Sequence, residues 1–244
     1  MLKAVLFDMD STLLKINLNA FICVYVKEIT RILASIARAN EHVTLIEYVK
    51  TYDTTYDKSR CDGLSNADFF ARDFELRTGI PLQDPIIADA LSFYEREILP
   101  SRNNRFIGAA PMPGAHEALF KVTATGLKCA LFTNPTFNEN TIRTRMKWAQ
   151  IDTFPFDKVT FMENSYAAKP SPDFFKYHLE DMGLKPCEVL MVGDDPKRDF
   201  CAPDCGIKTA YVGKGEDPRA FWSGSMQDFA REFYSIVEAF NSAC

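Results

Sequence analysis

From residue 111 onward, short apolar segments alternate with stretches of helical pattern, and this alternation restricts the possible folds more than any other feature of the chain. Helical stretches begin near Asn138 and at Ser171, where an N-cap residue precedes a first-turn proline, and an amphipathic helix is predicted over 225–240. The segments predicted to be buried strands are 127–132, 158–162, 189–192 and 208–212. Because such alternation is typical of a parallel sheet covered on both faces, the predicted fold class is α/β, with a doubly wound, mostly parallel, Rossmann-like sheet.

The first 110 residues show a different pattern. Residues 4–8 form a short apolar run that ends at an aspartate, and we predict that this run is a buried strand of the same sheet. From residue 18 to about residue 78, apolar residues recur three to four positions apart, which indicates helices. Asp84-Pro85 has the form of an N-cap and first-turn proline and begins another helix. Between residue 18 and about residue 98, no segment is securely predicted as a strand.

The length of the chain fits a core with an inserted second unit. With 244 residues, 47% of them hydrophobic, the chain can bury a full core and a smaller inserted domain. We expect the α/β core to consist of residues 1–15 and 111–244. A mainly helical insertion, residues 16–110, is expected to interrupt it.

Charge and hydropathy exclude several function classes. The net charge is −5, from 28 basic and 33 acidic residues, and no basic tract is present, so no nucleic-acid partner is expected. No apolar run approaches the roughly 20 residues that span a bilayer, and the N-terminus loses its apolar character too soon for a signal peptide. No membrane partner is therefore expected. The expected location of the protein is the cytoplasm.

The cysteines and histidines do not form a metal-binding pattern. The seven cysteines are scattered, which favours reduced thiols over a disulfide framework. Cys201 and Cys205 lie four residues apart, but no matching cysteine or histidine cluster accompanies them. The three histidines are isolated, so a zinc site is not expected.

Polar residues follow four of the predicted strands, where a doubly wound sheet binds its ligands. The first strand ends at Asp8-Met9-Asp10, the second at Thr133-Asn134, and Lys169 lies in the loop after the third. The fourth ends at Asp194-Asp195, with Asp199 one turn further on. Folding would therefore gather three or more carboxylates, one ammonium group and one hydroxyl around a single point.

The charges at these strand ends indicate the kind of ligand. Asp8, Asp10 and Asp194 would repel one another and strongly favour a hard divalent cation. With oxygen ligands only, magnesium is the expected cofactor. Together with Lys169 it would balance the carboxylates, so that a phosphate dianion could enter the site without severe repulsion.

The four segments resemble the haloacid dehalogenase superfamily of aspartate-nucleophile phosphotransferases. The signatures of that superfamily are a strand ending in Asp-x-Asp-x-Thr, a strand ending in Thr or Ser, a distant Lys, and an acidic Gly-Asp-Asp-type motif. The matching segments here are 6–13, 131–134, 169–172 and 192–199, in the same order. The resemblance extends from Val5 to about Val212, and the insertion looks like the helical type of cap domain. Ser11 is a departure, because the family most often has Gly there.

The resemblance implies a role for each catalytic position. Asp8 would attack phosphorus and form an aspartyl-phosphate, and Asp10 would act as the general acid and base. Lys169 would balance charge and orient Asp8. Thr133 and backbone amides near Asp10 would hold the phosphoryl oxygens, with help from Asn134.

The resemblance also implies a set of metal ligands. Magnesium would be bound by the Asp8 carboxylate, the Asp10 backbone carbonyl and Asp194. Asp195 and Asp199 would mainly orient these groups from a second layer.

The function expected from these residues is that of a magnesium-dependent phosphate-monoester hydrolase acting on a small phosphorylated metabolite. A phosphomutase is the main alternative, because it shares all four motifs. The dehalogenase branch lacks the second acid and needs no metal, and a non-catalytic binding protein would be expected to have lost catalytic groups. The substrate contacts expected in the insertion are Asn17, Asn19, Tyr56, Arg60 and Asp62, each with a solvated polar surface as the alternative. Arg60 in particular is expected to bind a second anionic group of the substrate.

Overall fold

A computed structural model describes residues 1–57, 60, 62–202 and 204–243. The strands are β1 (Ala4–Phe7), β2 (Leu14–Lys15), β3 (Ala110–Pro111), β4 (Lys128–Leu131), β5 (Lys158–Val159), β6 (Val189–Gly193), β7 (Lys208–Val212) and β8 (Trp222–Gly224). The α-helices are α1 (Leu18–Ala37), α2 (Glu41–Thr55), α3 (Asn66–Thr78), α4 (Pro85–Phe93), α5 (Ala115–Ala124), α6 (Glu139–Trp148), α7 (Pro172–Asp181) and α8 (Met226–Ser242).

Six of these strands form one parallel sheet, in the order β5-β4-β1-β6-β7-β8. The predicted α/β class and parallel sheet are confirmed. The first strand of the chain lies in the middle, where Phe7 is paired with Leu131 of β4 and with Val192 of β6. The residues that follow these three strands therefore emerge side by side at one edge of the sheet.

Alternate residues of β1 face the two layers of helices. Val5 and Phe7 belong to the larger core, in which the Phe7 ring meets Phe229 of α8 edge to face at 6.0 Å. Ala4 and Leu6 face the other side and pack in a second core with Phe174 of α7. Burial of β1 on both faces explains why its sequence is a continuous apolar run rather than an alternating one.

Helices α1 to α4 lie in the chain between β2 and β3. These two short strands pair antiparallel, with Leu14 opposite Pro111 and Lys15 opposite Ala110. The pairing brings the two ends of the helical insertion together beside the core. The ribbon was not predicted, because two residues per strand give no periodicity that a sequence can display.

One further strand was not predicted, and two predictions need correction. Strand β8 was missed, because its three half-buried residues at the edge of the sheet carry little apolar signal. The strand predicted over 158–162 contains only Lys158–Val159, and Met162–Asn164 form a 3₁₀ turn. The expectation of reduced thiols is wrong for Cys201 and Cys205, whose Cα atoms lie 6.0 Å apart and whose sulfurs form a disulfide.

No helix in the described part of the chain is long and apolar enough to cross a bilayer.

Candidate active site

The turn after β1 presents two aspartates at the edge of the sheet. The Asp8 amide donates to the Val192 carbonyl at 2.8 Å, so the hydrogen bonding between β1 and β6 continues one residue past the end of β1. The Met9 carbonyl then accepts the amides of Thr12, Leu13 and Leu14, so the chain reverses at once. Ser11 adopts a φ of 60° within this turn. A left-handed backbone costs an L-residue about 1 kcal/mol or more, which accounts physically for glycine as the usual residue at this position.

Lys169 connects this turn to the acidic loop after β6. Its ammonium nitrogen lies 2.6 Å from Oδ1 of Asp8 and 2.6 Å from Oδ1 of Asp199. Burial alone would lower the pKa of Lys169, but the Asp199 and Asp8 carboxylates raise it above its ordinary value. Lys169 is therefore a fixed positive charge that holds two carboxylates in place.

Asp199 is itself fixed from a second side. Its Oδ2 accepts the Asp195 amide at 2.9 Å, and a side chain at Gly193 would collide with its carboxylate. Glycine at the end of β6 is thus needed for the close approach of Asp199.

Carboxylate oxygens of Asp8, Asp194 and Asp199 lie within 4.8 Å of one another. Burial, followed by the negative charges of Asp199 and Asp10, raises the pKa of Asp8 to about 8 even though Lys169 opposes the shift. Burial and the neighbouring Asp199 and Asp195 carboxylates raise the pKa of Asp194 to about 7. Negative charge at this point therefore exceeds what Lys169 compensates.

The Asp10 side chain points to a different partner. Its Oδ1 forms an ion pair with the guanidinium of Arg145, a residue of α6 that is 1% exposed. The Asp10 carboxylate is not part of the cluster formed by Asp8, Asp194 and Asp199.

Two neighbouring cavities open over the strand ends. The smaller, about 100 Å³, is suited to a phosphate group rather than to a whole metabolite. Its lining residues are Asp8, Asp10, Ser11, Leu18, Asn134, Lys169, Asp194, Asp195, Arg198 and Asp199. The larger, about 430 Å³, shares Asn134, Lys169 and Arg198 with the smaller one. Its other walls include Tyr52 and Tyr56 of the insertion and Tyr166 and Tyr177 of the core.

A sequence model of haloacid dehalogenase-like hydrolases matches residues 2–200. The chain belongs to this family. The resemblance inferred from its four motifs is confirmed, and the protein is an enzyme of the hydrolase class.

Known relatives of this haloacid dehalogenase-like hydrolase are named as phosphatases. The chain is 30% identical over 140 residues to glyceraldehyde 3-phosphate phosphatase of Methanocaldococcus jannaschii, an alignment that covers 54% of this chain and 60% of that protein. It is 25% identical over 243 residues to N-acetylmuramic acid 6-phosphate phosphatase of Pseudomonas aeruginosa, covering 97% of this chain and 95% of that protein. A crystal structure of a HAD phosphatase from Thermococcus onnurineus has the same fold, with a TM-score of 0.58, 21% identity and coverage of 98% and 99%.

Of the eight residues to which the motifs assign a role, seven line the small cavity and Thr133 does not. Asn134 is a lining residue, and its side-chain oxygen accepts the Lys169 amide at 3.2 Å. Thr133 is buried at 1% exposure and is not among the lining residues. Its carbonyl accepts the Thr160 hydroxyl at 2.6 Å, which ties the end of β4 to the segment after β5.

The insertion reaches the larger cavity through two of its five expected contacts. Tyr56 and Arg60 line that cavity, and the Tyr56 hydroxyl donates to the Pro135 carbonyl at 2.7 Å. Asn17 instead caps α1 by accepting the Ala20 amide, and Asn19 is exposed. Asp62 is held as a partner of Arg60.

The environment of Arg60 does not fit the expected anion-binding role. All five N–H groups of its guanidinium are used within the insertion. The acceptors are Asp62, the carbonyls of Thr55 and Leu64, and the Asn66 side chain. No donor is left for a substrate anion, so Arg60 holds the turn together.

Sequence reasoning missed Arg145 although the sequence contains a signal for it. Arg143, Arg145 and Lys147 look like solvated charges of a polar helix. Arg145 nevertheless stands three residues after Ile142 and one before Met146, both of which are fully buried. Helical periodicity therefore places this arginine on the apolar face of α6.

Proposed function

We propose that this enzyme is a magnesium-dependent phosphate-monoester hydrolase that acts on small phosphorylated metabolites through an aspartyl-phosphate on Asp8. The observation that carries the proposal is the position of Asp8, a buried residue at the end of the central strand whose carboxylate accepts a hydrogen bond from Lys169. It borders a cavity of about 100 Å³ whose other lining groups include Asp10 and Asp194. The names of the relatives support phosphate-ester hydrolysis as the reaction class.

Two displacements at phosphorus make up the proposed reaction. In the first, an Asp8 carboxylate oxygen forms a bond to phosphorus while the bond from phosphorus to the ester oxygen breaks, and the Asp10 carboxyl gives its proton to the departing alcohol. In the second, the oxygen of a water molecule forms a bond to phosphorus while the bond from phosphorus to the Asp8 oxygen breaks, and the water gives a proton to Asp10. Inorganic phosphate leaves, and both aspartates return to their starting states.

Fixed positive charge and dipoles would hold the phosphoryl group. Lys169 contributes an ammonium group that is already in contact with Asp8, so little reorganisation is needed when the phosphoryl group arrives. Asn134 lies on the wall of the same cavity. Thr133 contributes through the position of the strand end, since its side chain does not line the cavity.

The donor set at the strand ends fits a magnesium ion. Among the described residues that form the site, five carboxylates face three cationic side chains. The carboxylates are Asp8, Asp10, Asp194, Asp195 and Asp199, and the cations are Lys169, Arg145 and Arg198. One divalent cation would compensate the difference, and all-oxygen donors favour magnesium. Asp8 and Asp194 would hold it with the Asp10 carbonyl, and Asp195 and Asp199 would orient these groups. When bound, the ion would withdraw charge from the phosphoryl oxygens.

The larger cavity is the proposed site for the remainder of the substrate. Its volume of about 430 Å³ suits a small metabolite, and the shared Asn134, Lys169 and Arg198 connect it to the phosphate cavity. The insertion closes it from above with Tyr52 and Tyr56, which is the role of a cap that excludes bulk water from the reaction. A site of this size beneath the insertion favours small phosphate esters over a phosphate carried on a protein.

The test is a set of phosphate-release assays on phosphorylated metabolites, with and without magnesium, for the wild-type enzyme and Asp8→Asn. We expect magnesium-dependent release with the wild type and none with the nearly isosteric variant. Borohydride trapping during turnover, followed by peptide mass spectrometry, should place the reduced adduct at residue 8. Release by Asp8→Asn at the wild-type rate would overturn the mechanism. Transfer of the phosphoryl group to a second sugar hydroxyl, without net phosphate release, would indicate a phosphomutase instead.

A further inference from the structure

Arg145 occupies an unusual position for an arginine. It is 1% exposed, and its guanidinium carbon lies 5.2 Å from the ring centre of Phe21 and 5.1 Å from that of Phe137. Phe21 belongs to α1 of the insertion, whereas Phe137 precedes α6 of the core. The charge of Arg145 is thus enclosed between aromatic rings from both parts of the molecule.

Asp10 is the one carboxylate paired with Arg145 among the residues that the structure describes. Among the described residues, neither Nε nor Nη2 of Arg145 has a hydrogen-bond partner, and Nη2 meets Asp10 Oδ1 as an ion pair. Burial of a cation whose N–H groups lack acceptors costs desolvation free energy, which only a close opposite charge can offset. The aromatic enclosure alone does not require a cation, since an apolar side chain of the same length would fill the space.

The pairing leaves the Asp10 carboxylate with two unequal oxygens. Oδ1 is buried and faces Arg145, while the residue itself lines the phosphate cavity. Oδ2 is therefore the oxygen that can reach a leaving group. Arg145 does not line either of the two cavities over the strand ends, so it has no direct contact with a substrate there.

We propose that Arg145 is a positioning residue, which holds one oxygen of Asp10 so that the other is aimed at the ester oxygen of the substrate. This inference rests on the proposed function, in which Asp10 transfers the proton to the leaving alcohol. Proton transfer by a positioned group depends on its distance and direction to the reacting atom, so a freely rotating Asp10 carboxylate would be a poor catalyst.

The test compares two substrates that differ in their need for an acid. An alkyl phosphate releases a strongly basic alkoxide and requires protonation, whereas p-nitrophenyl phosphate releases a stable phenolate. For Arg145→Met, which keeps the apolar contacts and removes the charge, we expect kcat/KM to fall about a hundredfold on glycerol phosphate. On p-nitrophenyl phosphate the loss should be less than about threefold, because general acid catalysis is worth roughly 10² to 10⁴ only where the leaving group needs it.

Arg143→Gln is the matched control, since Arg143 lies on the exposed side of the same helix, where it pairs with Glu139. It should leave both activities unchanged. Arg145→Lys, which retains a charge without the planar fork, should lose an intermediate amount and provides a second variant if Arg145→Met does not fold. Equal losses on the two substrates for the folded Arg145 variants would overturn the proposal and return the residue to a purely structural role.

Asp10→Asn separates this inference from the function on which it rests. If Asp10→Asn shows the selective loss on glycerol phosphate and the Arg145 variants do not, the positioning role is wrong and the acid role stands. If Asp10→Asn shows no selective loss, Asp10 is not the acid and both ideas fail. In the Asp10→Asn background, Arg145→Met should cause no further selective loss, because the two residues act as one unit.

Discussion

The ammonium nitrogen of Lys169 lies 2.6 Å from Oδ1 of Asp8, although 161 residues separate the two in the chain. The same nitrogen lies 2.6 Å from Oδ1 of Asp199. One buried cation therefore joins the end of the central strand to the acidic loop after β6. Without it, the carboxylates of Asp8 and Asp199 would face each other in a site with little access to water.

We expect Lys169→Met to lower both activity and stability. Removing one partner of a buried ion pair leaves uncompensated charge, at a cost of about 3–5 kcal/mol. Urea unfolding in the presence of a chelator should show a loss of about 3 kcal/mol, and phosphate release should disappear. Lys176→Met, which removes an exposed lysine from α7, is the control and should change neither quantity. A Lys169→Met enzyme as stable as the wild type would mean that Asp8, whose pKa is raised by burial, takes up a proton when Lys169 is removed.

Magnesium should stabilise the folded enzyme through Asp194. Binding to the native state alone raises the free energy of unfolding by about 2.7 kcal/mol at a hundredfold excess over Kd. Thermal unfolding of the wild type should therefore shift upward with magnesium, and phosphate release should stop when a chelator is added. Calcium should restore little turnover, because its larger and looser coordination is poorly suited to in-line transfer.

Asp194→Asn is the matched variant for this experiment, since it removes one charge from the cluster with almost no change in shape. Its unfolding temperature should respond weakly to magnesium. An equal magnesium response in wild type and variant would place the ion elsewhere, and full activity after exhaustive chelation would contradict metal dependence.

The sequence predicted the parts of the fold that are buried on both sides. Strands β1, β4, β6 and β7 were found because central strands of a parallel sheet are continuous apolar runs. The ribbon of β2 and β3 and the edge strand β8 were missed, since two or three half-buried residues leave no such run. Short strands of this kind depend on pairing across the chain rather than on local pattern.

The candidate site was predictable at the strand ends and poorly predictable elsewhere. Strand order brings Asp8, Asp194 and Lys169 together, so their proximity followed once the sheet was recognised as parallel. The ion pair between Arg145 and Asp10 depends on which side of α6 faces the core, which the charged neighbours of Arg145 obscured. The role of Arg60 depends on acceptors in the turn around it, including two backbone carbonyls that no sequence pattern reveals.

His178 should make the stability of the fold sensitive to acid. It is fully buried, its Nε2 lies 3.0 Å from the Ser165 hydroxyl, and burial lowers the pKa of His178 to about 3. Below its ordinary pKa of about 6.5, the unfolded chain binds a proton that the native state excludes. The free energy of unfolding should therefore fall as pH falls from 6.5 towards 3, by up to about 1.4 kcal/mol per pH unit from this group.

Urea unfolding at several pH values, applied to His178→Gln, checks this contribution. The variant should be less stable near neutral pH but should show a shallower decline on acidification, because glutamine does not titrate. His42→Gln, at an exposed histidine, should decline as the wild type does. Identical slopes for all three proteins would mean that His178 accepts a proton in the native state.

Arg60→Ala should weaken the insertion without changing substrate preference. The substitution removes five hydrogen bonds of a side chain that is 10% exposed, two of them to Asp62, along with its contact to the Phe69 ring. Charged hydrogen bonds of this kind contribute about 1.5–3 kcal/mol, so the unfolding temperature should fall measurably. Values of kcat/KM for a bis-anionic sugar phosphate and for p-nitrophenyl phosphate should fall by similar factors.

Arg96→Ala, at an exposed arginine of the insertion, is the control and should change neither the unfolding temperature nor kcat/KM. A loss confined to the bis-anionic substrate would restore Arg60 to the anion-binding role expected from the sequence.

Arg198 is the arginine whose surroundings leave it able to bind a second anionic group of the substrate. It lines both cavities, its side chain is 52% exposed, and its one ion pair among the described residues is a distant contact of 3.5 Å with Asp195. We expect Arg198→Ala to lower kcat/KM about tenfold for a substrate with a carboxylate beyond the phosphate, a loss of about 1.4 kcal/mol. For an aryl phosphate without a second charged group, kcat/KM should change little, because this substrate has no further group for the guanidinium to bind. Arg143→Ala controls for the general loss of one surface charge. An equal fall in kcat/KM for both substrates would mean that Arg198 acts through the acidic loop and Asp195. Specificity for the second anionic group would then come from another part of the larger cavity.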